Sequence, residues 1–109
     1  MWISIETLRD LEAINEQSFE MPIVIFKHST RCSISRMALK LFESSFSPLK
    51  GQLHLLDLLS FRALSNEIAQ QYQVTHQSPQ VLVIKNGRCV FWKSHNEIDA
   101  HEIQKIIAV

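Results

Sequence analysis

Ile23-Val24-Ile25-Phe26-Lys27-His28-Ser29-Thr30-Arg31-Cys32-Ser33-Ile34-Ser35 carries the change of pattern from which the rest of the chain can be read. Its first four residues are apolar without alternation, as in a strand covered on both faces. From Ile34 onward the apolar residues Ile34, Met37, Ala38, Leu41 and Phe42 fall at helical spacing. Cys32 therefore sits where a strand hands over to a helix N-terminus. The first N–H groups of a helix are unpaired and its dipole is positive there, so a thiolate is favoured over a thiol. Arg31 and Arg36 push the same way. Because the thiolate is the attacking species in thiol–disulfide exchange, Cys32 is the candidate nucleophile. The competing reading of an unpaired cysteine is a buried small hydrophobe. Ser29, Thr30, Arg31, Ser33 and Ser35 argue against it, since they make a polar loop and first turn rather than a core.

Outward from this stretch the chain reads as alternating elements. Ile3 and Ile5 alternate with polar neighbours as in a short strand, and Thr7 with Asp10 forms a capping pair for a helix ending near Phe19. Pro22 opens the strand at 23–28, and the Cys32 helix runs to about Phe46 before Pro48 and Gly51 mark a loop. Residues 52–58 read as a second buried strand, and Phe61, Leu64, Ile68 and Tyr72 mark another amphipathic helix. After the loop Thr75–Pro79, the strand 80–85 meets Asn86-Gly87, the dipeptide suited to a type I′ turn, and 88–92 returns as its hairpin partner. Asn96 with Asp99 caps a last helix carrying Ile98, Ile103, Ile106 and Ile107. The fold class expected is α/β: a mixed central sheet with helices on both faces, its early strands parallel and its end a β-hairpin plus helix. In such sheets sites lie beyond the carboxyl ends of the strands, where Cys32 falls.

At 109 residues, one domain spanning 1–109 is expected. Eleven basic and eleven acidic residues cancel, and no basic stripe points to nucleic acid or an anionic membrane as a partner. No apolar run approaches the roughly 20 residues of a membrane span, and the start lacks a signal peptide's basic and apolar regions, so the cytoplasm is the expected compartment. Cys32 and Cys89 are too few for a disulfide framework, and no cysteine–histidine cluster has metal-ligand spacing. No heptad or apolar excess points to an obligate dimer, so a monomer is expected.

The cysteine opening a helix after a buried strand, with an X-Pro before a hairpin, resembles the thioredoxin fold over nearly the whole chain. Within that fold, Ser29-Thr30-Arg31-Cys32, Ser78-Pro79-Gln80 and Ser94-His95 are similar to the monothiol bacilliredoxins of the bacillithiol system. Ser33 departs from that family's usual proline, leaving the helix start less pre-set in φ. The resemblance implies that Cys32 attacks the bacillithiol sulfur of S-thiolated client proteins and itself carries the small thiol. Bacillithiol or a related low-molecular-weight thiol is then a co-substrate, and no cofactor is tightly bound. Ser35 stands where dithiol enzymes have a resolving cysteine. It could donate a hydrogen bond to the Cys32 thiolate or satisfy a first-turn N–H. Thr30, Arg31 and Ser33 complete the motif around the thiolate. The resemblance also implies a cis bond before Pro79, with the Ser78 backbone offered to substrate and Gln80 toward the ligand's polar end. Arg31 is the candidate for a ligand carboxylate, while Lys27 and Arg36 read as surface charges.

Cys89 reads as core packing rather than as a resolving thiol, Trp2 and Trp92 as packing residues, and His28 is undecided between tuning Cys32 and ending the strand. Two other readings share the scaffold: a non-catalytic binding module using the Ser78-Pro79 groove, and a carrier in which Cys32 and an external thiol hold an iron–sulfur cluster.

Overall fold

The computed structural model describes residues 2–45, 48–49 and 51–108. Its elements, in chain order, are β1 (Ile3–Ser4), α1 (Leu8–Gln17), β2 (Ile23–His28), α2 (Ser33–Ser45), β3 (Leu53–Asp57), α3 (Arg62–Tyr72), β4 (Gln80–Lys85), β5 (Arg88–Ser94) and α4 (Ala100–Ile107). Phe46, where the sequence ends the second helix, lies outside the described residues. Among the described residues the strands form one sheet in the order β1-β3-β2-β4-β5. β3 runs parallel to β1 and β2, and β4 runs antiparallel to β2 and β5.

Every residue of β2 is buried, as its unalternating apolar run implies. Ile23 and Ile25 join Leu82 and Ile84 against Leu11 and Ile14 of α1 and Ile68 and Tyr72 of α3. Val24 and Phe26 join Val81 and Val83 against Phe42 of α2 and Ile103 and Ile107 of α4. Trp2 packs on this second core, 5.8 Å from the Phe26 ring and 5.7 Å from Phe42. Trp92, read as a packing residue, is instead 48% exposed on the outermost strand. The helical stripe after Cys32 divides in the same way. Phe42 is buried, but Ile34, Met37 and Leu41 are 61%, 65% and 64% exposed.

Thr7 and Asp10 make the expected capping box, with Asp10 N–H donating to Thr7 Oγ1 at 3.0 Å and Thr7 N–H to Asp10 Oδ2 at 3.1 Å. The helix nevertheless ends at Gln17, short of Phe19, because Ser18 is drawn into the hairpin: its carbonyl accepts from Asn86 N–H and its hydroxyl from Gly87 N–H, each at 2.8 Å. The cap of α4 also differs from the expectation. Asp99 alone caps it, accepting from His101 N–H at 2.9 Å, while Asn96 lies inside a 3-10 turn at His95–Glu97. β5 runs on to Ser94, beyond the expected 92, because Ser94 pairs with Gln80.

Asn86 and Gly87 have φ of 53° and 75°, the positive values that a type I′ turn requires at both central residues. A Cβ on Gly87 would lie 3.0 Å from the Phe19 ring. Gly87→Ala is therefore expected to destabilise the fold by about 1 to 2 kcal/mol, read from the midpoint of urea denaturation at unchanged slope.

Candidate active site

The register Lys27↔Gln80 places the Ser78-Pro79 end of β4 at the same edge of the sheet as the loop leaving β2. That loop turns into α2 through Cys32, whose N–H donates to the Ser29 carbonyl at 3.1 Å. The Cys32 carbonyl accepts the first helical bond, from Arg36 N–H at 3.0 Å. Cys32 thus occupies the capping position of α2, half-buried, with Thr30, Arg31 and Ser33 exposed around it. Arg36 folds back to donate from Nη1 to the Thr30 carbonyl at 2.9 Å, which fixes the loop's outer side.

Ser35 fixes its inner side. The side chain is fully buried, its oxygen accepts from Ser29 N–H at 3.0 Å, and it stands 2.7 Å from His28 Nδ1. The hydroxyl thus satisfies a backbone N–H, that of Ser29 in the loop, and also pairs with the last residue of β2. Burial, with Arg36 adding to it and Asp57 and Glu43 opposing it, holds the His28 ring below its ordinary pKa. That favours a neutral imidazole, so its Nδ1 is available to accept the Ser35 proton. His28 is therefore tied to the Cys32 loop through Ser35.

The Ser78–Pro79 peptide bond is cis, and Pro79 is buried with its carbonyl accepting from His95 N–H at 2.8 Å. Gln80 is also fully buried. Its Nε2 donates to the Thr75 carbonyl at 2.9 Å and to Ser94 Oγ at 3.1 Å, so it supports the loop from behind rather than meeting a ligand at its surface.

Lys27 departs most from its sequence reading. Expected as a surface charge, it has no exposed area, and Nζ donates to the Ser65 carbonyl at 3.1 Å beside His76 Nδ1 at 3.3 Å. Ser65 Oγ lies 3.0 Å from the same ring nitrogen. Burial pushes Lys27 down to about 8, and burial, then Lys27 and Arg62, push His76 down. The missed signal is Lys27's place two residues beyond Ile25, in phase with the side of β2 that faces α1 and α3.

Cys89 sits elsewhere. It pairs with Ile84, which pairs with Ile23, the first residue of β2, so the hairpin thiol and Cys32 lie at opposite ends of that strand. At about 3.3 Å per residue, Ile23–His28 separates them by roughly 17 Å. Cys89 is half-buried against the core on the α1 side, its Sγ–H reaches the Phe91 carbonyl at 3.4 Å, and burial raises its pKa. Among the described residues no group of three or more histidines, cysteines and carboxylates could hold a metal ion, and no helix is long and apolar enough to cross a membrane.

Two expectations follow from these contacts. Ser35→Ala leaves Ser29 N–H and His28 Nδ1 without their partner, and should cost about 1 to 3 kcal/mol in denaturant titrations. For Lys27, folded and unfolded chains are both charged below about pH 8, whereas between 8 and 10.5 only the unfolded chain keeps the proton. Stability contributed by this group therefore rises with pH across that window. Relative to Lys27→Met, the wild type should gain on the order of 2 to 3 kcal/mol from pH 8 to 10.5. Because both proteins contain Tyr72 and Cys89, the opposite contributions of those groups cancel in this comparison.

Solved structures share this architecture. One, named for its thioredoxin fold and a provisional oxidoreductase assignment, is 26% identical with a TM-score of 0.83, covering 94% of this chain and 90% of its own. Thioredoxin from Malassezia sympodialis is 18% identical with a TM-score of 0.71, over 99% of this chain and 89% of its own. Thioredoxin from Fasciola hepatica is 21% identical with a TM-score of 0.68, over 99% and 97%. These matches establish a thioredoxin fold, and the first, with the family below, supports thiol–disulfide redox function. Residues 3–103 match the family described as monothiol bacilliredoxin BrxC, and the chain belongs to that family.

Proposed function

We propose that the protein removes bacillithiol, or a similar low-molecular-weight thiol, from S-thiolated client proteins by a monothiol cycle at Cys32. The observation that carries this reading is the pairing of a half-buried cysteine at the start of α2 with a buried serine three residues on, its hydroxyl already engaged by Ser29 and His28. A thiolate at that helix start has an unpaired-amide end and a positive dipole beside it.

The Cys32 thiolate attacks the small-thiol sulfur of the mixed disulfide. A Cys32–S–S–small-thiol bond forms, the old S–S bond breaks, and the client cysteine leaves as a thiolate that takes a proton from solvent. Ser35 supplies no sulfur, so the enzyme stops at the adduct. A free small thiol, or a cysteine of a partner reductase, then attacks the small-thiol sulfur and restores Cys32, leaving with the disulfide. Arg31, exposed beside Cys32, holds a carboxylate of the small thiol, and the Ser78 backbone at Pro79 receives the substrate alongside Cys32. This reading places the protein in the cytoplasm as a monomer with no tightly bound cofactor.

The test is intact mass after reduced protein is mixed with a bacillithiolated client, using wild type, Cys32→Ala and Cys89→Ala. Wild type and Cys89→Ala should each gain one bacillithiol as free client appears, and Cys32→Ala should gain none. Client release by Cys32→Ala, or no exchange by any variant, would remove Cys32 as the nucleophile and favour a binding module on this scaffold.

A further inference from the structure

Lys27 is a cation inside the central strand, and the exchange chemistry above does not use it. Its Nζ meets the Ser65 carbonyl at the start of α3 and His76 Nδ1 in the segment leading to Pro79. The titratable groups acting on His76 are Lys27 itself and Arg62, and burial is the cause that lowers Lys27. An ammonium in this setting, with uncharged acceptors, costs free energy that a methionine of similar length would not.

What that cost secures is legible in the neighbouring strand. Gln80, the cross-strand partner of Lys27, binds the Thr75 carbonyl from β4, while Lys27 reaches His76 from β2. Ser65 Oγ holds the same His76 nitrogen from α3, and His95 N–H holds the Pro79 carbonyl at the far end. The segment 74–79 is thus held at Thr75 and His76 by Gln80 and Lys27 of the sheet together with Ser65 of α3, and at Pro79 by the His95 main chain. The geometry points to Lys27 as a positioning residue for this loop. Through His76, its buried ammonium fixes the path on which the Ser78 backbone is presented to the client's mixed disulfide. This rests on the reading of the Ser78-Pro79 segment as the client-binding segment.

The experiment compares wild type with Lys27→Met, His76→Phe and the double variant in the full chain at pH 7. It measures stability in urea, amide hydrogen exchange at residues 74–78, and KM and kcat for release of bacillithiol from a bacillithiolated client. Lys27→Met should be at least as stable as wild type, yet exchange at 74–78 should quicken at least fivefold. KM should rise at least threefold with kcat within twofold. His76→Phe should reproduce both effects, and the double variant should add little to either single change. Unchanged loop exchange, unchanged KM, exchange rising equally through β2 and α3, or KM effects that multiply in the double variant would each overturn the proposal. His76→Phe, altering a half-exposed loop residue, decides the matter even if Lys27→Met does not fold. If wild type releases no client, the proposed function fails, while the exchange measurement still decides the role of Lys27.

Discussion

Burial of β2 on both faces is the constraint on which this structure depends. A strand between two helical layers supplies its sheet neighbours with apolar contact from every residue, and its side chains have no water to fall back on. For Ile23, Val24, Ile25 and Phe26 that is a gain. For Lys27 and His28 it forces a search for internal partners, and the partners found lie in opposite directions. Lys27 points with Ile25 toward α3 and binds Ser65 and His76. His28 points with Phe26 toward α2 and binds Ser35. The two polar residues at the end of the strand thereby reach two segments of the site, the loop before Pro79 and the first turn of α2. Fold and site are joined by one strand rather than by separate devices.

Much of this is legible in the sequence. The unalternating run at 23–26, the switch to helical spacing at Ile34, the Thr7–Asp10 box and the Asn86-Gly87 turn each report a local rule, and local rules survive folding. Three features were not legible, for physical reasons. Lys27 looks like a surface charge because its acceptors are distant in sequence, the Ser65 carbonyl and His76. Ser35 looks like an ordinary first-turn serine because its role depends on where β2 ends relative to α2. The stripe Ile34, Met37 and Leu41 has core spacing but lies beyond the edge of what β2 and α4 cover, so periodicity finds the helix and misstates its burial.

That exposed stripe starts two residues after Cys32 and lines, with His95 and Asn96, a groove of about 530 Å³ between α2 and the turn before α4. The groove carries Glu97, Asp99 and Glu102, whereas the loop before α2 carries exposed Arg31 next to Cys32. The surroundings of the cysteine are therefore asymmetric in charge although the chain as a whole is neutral. Local field, rather than net charge, is what any charged group approaching Cys32 meets.

The two cysteines complete the argument for a one-sulfur chemistry. A disulfide requires Cα atoms within about 7 Å, and β2 itself stands between Cys32 and Cys89 as a spacer of roughly 17 Å. Their environments diverge as well. Cys32 caps a helix in a polar loop, whereas the Cys89 thiol donates a hydrogen bond to the Phe91 carbonyl and is disfavoured as a thiolate by burial. Bringing them together would require dismantling the central strand that builds the site. Cys89 is therefore out of reach as a disulfide partner for Cys32 in this fold, and the half-buried Cys32 thiol keeps its open side toward solvent.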